Sequence, residues 1–239
     1  MSLARDPRPS VPRYRGGLLA VPLLLAGGGA LAHTISGDDA TFVQGIAGPA
    51  VGPFVYLGAK HMVTGYDHLL YLVGVVFFLH RLRDVVLYVS LFTLGHSITL
   101  LGGVLGGLAV NAYLIDAVIG LSVAYKGFEN LGGFRTVFGI EPNPRFAVIV
   151  FGLFHGLGLA TRLQDMALSA DGLLTNLVSF NAGVELGQVL ALLFVVLVLF
   201  RWRTSSHFAR QAFVANTVLM SLGFLLAGYQ VAGFVLVPA

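Results

Sequence analysis

The chain contains no cysteine. Disulfides, thiolate metal sites and a cysteine nucleophile are therefore excluded, and any metal must be held by histidine, carboxylate, amide or backbone oxygen. Charge is nearly as scarce. Asp, Glu, Lys and Arg make up 10% of the 239 residues, against about 25% in a soluble domain. Apolar residues make up 56% and fall in long runs. That pattern describes an all-α polytopic transmembrane bundle whose first partner is the lipid bilayer. The net charge of +3 does not point to nucleic acid, because the arginines sit in short loops between apolar runs. There they act as topology signals. No ATP-binding motif is present, which argues against primary pumping by this chain alone.

The N-terminus carries Arg5, Arg8, Arg13 and Arg15, then a short apolar run ending in Ala30-Leu31-Ala32. A basic region, an apolar core and an A-x-A site predict a signal peptide over residues 1–32, with an uncleaved first helix as the alternative. Residues 33–239 then form a single transmembrane domain. About six spans are expected, near 66–80, 84–106, 111–130, 146–163, 175–200 and 212–236. The stretch "FVYLGAKHMVTG" before the first of them either extends it or forms a re-entrant or interfacial helix. If the segment after Ala32 is outside, the inside loops hold eight Lys and Arg, Lys126 and Arg203 among them, and the outside loops two, Lys60 and Arg162. This bias predicts a bacterial inner-membrane protein with a periplasmic mature N-terminus. Gly103 and Gly107, Gly152 and Gly156, and Gly183 and Gly187 have the small-xxx-small spacing of close helix contacts.

Against this background the polar residues stand out. His61, Asp67 and His68 lie at the mouth of the first apolar run. His96 and His155 lie mid-span. Asn181, Glu185 and Gln188 lie at i, i+4 and i+7 of one helix face. A charged group at a helix centre costs at least about 2.5–3.5 kcal/mol, so such groups face the bundle interior. Their depths predict one outward-facing cavity formed by Asp67, His68, His96, His155, Asn181 and Glu185. His61 and His68 would stand about 10.5 Å apart along a straight helix. Gly65 either bends the segment between them, or His61 forms a separate entry site. Imidazole and oxygen ligands without thiolate suit Ni, Zn, Co or Cu(II). Asp116 is expected as a helix cap, and Glu129-Asn130 as a cap or a partner of Arg135.

His61-x5-Asp67-His68, "HSITL" from His96, "FGLFHGLGLA" around His155 and "FNAGVELGQ" from Phe180 together resemble the HupE/UreJ family of hydrogenase and urease accessory proteins. The resemblance covers about residues 54–190. It implies a nickel permease of six to seven helices that feeds a metalloenzyme maturation system. Two other functions fit the same residues. One is a membrane-embedded zinc hydrolase with Glu185 as base to a metal-bound water. The other is a membrane metal sensor or assembly partner without transport.

Overall fold

The structure, a computed structural model, describes residues 44–108, 110–165 and 169–236. The expected signal segment lies outside the described residues. From Val51 onward these are helical, with no strand among them: α1 Val51–Thr64, α2 Tyr66–Val76, α3 Leu82–Leu105, α4 Ala112–Asn130, α5 Pro144–Asp165, α6 Leu173–Arg203 and α7 Phe208–Leu236. A π-helical turn, Phe134–Phe138, lies between α4 and α5.

Four helices, α3, α5, α6 and α7, are long and apolar enough to cross a membrane. They mark a multi-pass membrane protein. Their outward faces are large apolar side chains, such as Val189, Leu193, Phe194 and Leu197 on α6 and Phe213, Phe224 and Leu225 on α7. Lipid is the solvent in which such a surface costs nothing. Helix α4, with 19 residues, carries Asp116, Lys126 and Glu129. The stretch before the first expected span is a separate helix, α1. It ends at Gly65, whose backbone is extended, with φ −75° and ψ 94°.

Glycine decides which helices meet. A side chain added at Gly58 or Gly183 would strike the Phe180 or Val55 carbonyl, so α1 and α6 touch backbone to backbone. Gly187 continues this seam against Ala59. On α5, Gly152 and Gly156 press against the Phe92 and His96 carbonyls of α3, and Gly95 of α3 presses back on Ile149. Gly120, Gly127 and Gly223 seal α4 to α7 in the same way. The pairs Gly152/Gly156 and Gly183/Gly187 are thus contact sites of the kind membrane helices use. Gly103 meets Ala160, but Gly107 has nothing within 4 Å and sits at φ +62°. Its role is to turn the chain after α3, where a left-handed conformation favours glycine.

The short helix α2 lies among these pairs, and Arg203 of α6 holds its C-terminal end. The Arg203 guanidinium donates to the carbonyls of Val76 at 2.7 Å, Phe77 at 2.6 Å and Leu79 at 2.8 Å. The first two belong to the last residue and the cap of α2, where a helix leaves carbonyls without intrahelical partners. Arg203→Met should therefore lower stability by about 2–3 kcal/mol, the scale of hydrogen bonds to a charged group. Thermal unfolding of the detergent-purified protein reads this directly, and an unchanged midpoint would remove the cap from the account.

Three expectations are corrected. The cap of α4 is Asn111, whose side chain accepts from Leu114 N at 3.3 Å. Asp116 lies one turn further in, buried, and pairs with Arg162 of α5. Glu129 pairs with Lys126 at 2.6 Å, while Arg135 pairs with Glu141. Lys126, expected in an inside loop, is a buried residue of α4.

Candidate metal centre

The break at Gly65 makes the centre. It folds the end of α1 back toward the start of α2, and the His61 and His68 rings stand 5.3 Å apart between centroids. Space at Gly65 is tight, because a Cβ there would lie 3.0 Å from the His61 carbonyl and 3.3 Å from His68 Nδ1. The Gly156 contact then sets α5 against α3 at His96. As a result His68 is surrounded, with the His155 ring at 4.8 Å and the His96 ring at 5.9 Å. Three imidazoles, each from a different helix, gather around a fourth. His68, His96 and His155 are at most 1% exposed, and His61 is 6% exposed.

Hydrogen bonds fix two of the tautomers. His155 Nδ1 lies 2.8 Å from the Phe151 carbonyl. A carbonyl only accepts, so Nδ1 carries the proton and Nε2 is the unprotonated nitrogen. His68 Nδ1 lies 3.1 Å from Asp67 Oδ1, and an ionised Asp67 imposes the same tautomer. Carboxylate and carbonyl partners of this kind orient metal-binding histidines and raise their basicity. The collar around the rings is aromatic: Phe92 is 5.0 Å from His155, and Tyr71 is 5.3 Å from it. Met62 of α1 is also fully buried. Tyr71 and Phe92 were not singled out in the sequence. Helical spacing was the signal for both, since Tyr71 is i+3 from His68 and Phe92 is i−4 from His96.

The remaining expected residues divide. Asn181 Oδ1 accepts from Ser97 Oγ at 3.1 Å, which seats it beside His96 rather than among the rings. Glu185 is exposed and contacts Asn181 Nδ2 at 3.4 Å. It shares the outward face of α6 with Val178 and Val189. The reason is local: Gly183 and Gly187 claim the inward face against α1, and the residue between them points away. Gln188 turns inward, accepting from Thr93 Oγ1 at 3.2 Å. The structure therefore unites His61, Asp67, His68, His96 and His155, puts Asn181 at their edge and leaves Glu185 outside. His80 and His207 are exposed. The rings meet edge to face, at 74–77° around His68. Among the described residues, no three His, Asp or Glu side chains are posed to share one ion as they stand.

A family model for the HupE / UreJ protein matches residues 37–237. The chain belongs to the HupE/UreJ family. No curated protein and no solved structure matches it. The span matched to the HupE/UreJ model contains every residue of the histidine group, Asn181 and Glu185 as well, and all seven described helices up to Leu236.

Proposed function

We propose that this HupE/UreJ chain is a divalent metal permease, with nickel the favoured cargo and zinc or copper the alternatives. The observation that carries the reading is the group of four imidazoles and one carboxylate buried where α1, α2, α3 and α5 meet. Ionisable groups at membrane depth mark ion pathways. Asp67 supplies fixed negative charge beside His68, and His61 stands next to it on the other side of the Gly65 break. A dication is captured there and passes to His96 and His155. Imidazole without thiolate favours nickel-class ions over Cu(I). The edge-to-face packing of the rings suits cargo better than a resident ion, since conduction requires release as well as capture. Ring rotation on loading then forms the site.

In this reading α1 and α2 together form the first of six spans and α4 the third. The inside face carries Arg81, Arg83, Arg135, Arg145, Arg201 and Arg210. The chain is delivered by residues 1–32 and faces the periplasm with His33. A hydrolase would need a base near the metal, and the exposed position of Glu185 does not supply one.

Radioactive nickel uptake by cells tests the proposal. Cells producing the protein should take up nickel with saturation, above cells carrying an empty vector. Equal uptake in both, together with one zinc retained through chelator washing of the purified protein, would favour a membrane metalloenzyme.

A further inference from the structure

Below the histidines, on the same helix, lies a second polar group that the metal centre does not use. Along α2, Tyr71 follows His68 by about 4.5 Å and Gly74 by about 9 Å. Tyr71 packs on His155, and its neighbour Phe151 packs in turn on Tyr125. At Gly74 the Lys126 stem fills the space a side chain would take, with Cγ 2.9 Å from the position of a Cβ. The Lys126 ammonium is 2.6 Å from Glu129 Oε2, with only 10% and 18% of the two side chains exposed. Asn130 donates to the Gly74 carbonyl at 2.9 Å and to Asn216 Oδ1 at 2.8 Å. Helices α2, α4 and α7 are thus knotted by polar groups one and a half turns or more from the rings. An ion pair this buried is a poor device for stability alone, because desolvation offsets much of the attraction.

We propose that the Lys126–Glu129 pair is the inner barrier of the permeation path: the Lys126 ammonium occupies the carboxylate that a dication leaving the histidines takes next. The inference rests on the permease reading. The ammonium is a tethered cation, and like charge repels a dication until the side chain swings off Glu129. Glu129 then serves as the oxygen ligand of the exit step. A side chain at Gly74 would strike both the lysine stem and Leu219.

The test uses the full-length protein in vesicles containing a nickel-sensitive dye, with nickel added outside. Equilibrium nickel binding and thermal unfolding are measured on the same preparations. Lys126→Met removes the barrier and should speed nickel entry. Glu129→Gln keeps the positive charge and removes the ligand, so entry should fall about tenfold or more. Lys126→Arg keeps a cation that grips a carboxylate with two hydrogen bonds, so entry should slow without loss of stability. Nickel binding should stay within about threefold of the parent in Lys126→Arg, which keeps both charges and leaves the histidines untouched. A pair that only braces the helices predicts the same sign for Lys126→Met and Glu129→Gln and no slowing by Lys126→Arg. That pattern overturns the proposal. If the two neutral variants do not fold, Lys126→Arg decides: parental flux rejects the barrier, and slowed flux with parental binding supports it. A parent that binds nickel but moves none overturns the permease reading and this inference together.

Discussion

On the permease reading, His96→Ala should abolish nickel uptake, and excess nickel should restore it poorly. This is the expected result for a ligand that lies deep in the group, wholly buried against His68 and Phe92. Its loss should weaken metal affinity by about 100-fold or more, beyond the 10–100-fold cost of disturbing a partner of a ligand. Asp67→Asn should behave differently. The substitution keeps an oxygen that can accept from His68 Nδ1 and removes the charge that draws a dication. Uptake should fall by about tenfold at low nickel and recover as nickel is raised, because all four imidazoles remain. Uptake across a concentration series, with protein amounts checked on blots, separates the two. Parental transport by both variants would misplace the site.

The second large effect is on folding. At Gly156 a side chain would strike the His96 carbonyl and Thr99 Oγ1 of α3, and backbone cannot step aside as a side chain can. Gly156→Leu should cost about 3 kcal/mol or more, at the upper end of overpacking. It should also lose nickel binding, since the same contact seats His155 beside His68. Gly102→Ala on α3 is the control. Nothing lies within 4 Å of the added methyl, and alanine in a helix interior should add about 0.5–1 kcal/mol. Monodispersity and thermal unfolding in detergent read both. Equal behaviour of the two variants would mean that the α3–α5 seam tolerates separation.

Much of the fold follows from composition and punctuation. The expected spans near 84–106, 111–130, 146–163, 175–200 and 212–236 fall within a few residues of α3 to α7, because Gly, Pro and Arg mark their ends. Glycine spacing marked the contact faces of α5 and α6, though not which helices they would meet, and it missed at Gly107, which lies in a turn. The histidines were legible because a buried imidazole in an apolar helix needs a reason. What stayed hidden depends on rotation and on distant partners. Glu185 carried the same i, i+4 signal as Asn181, yet the glycines on either side of it won the interior and turned it outward. Asp116 is joined to Arg162 across 46 positions of sequence, and no local pattern announces that pair. Lys126 read as a loop charge because helix α4 runs past the apolar residues to Asn130.

Gly65 joins two rods with a single residue. His61 rides on one and His68 on the other, so two torsion angles set the spacing of the rings. A straight helix would hold the two imidazoles at the distance its repeat dictates. Here their spacing follows instead from the φ of −75° and ψ of 94° at Gly65.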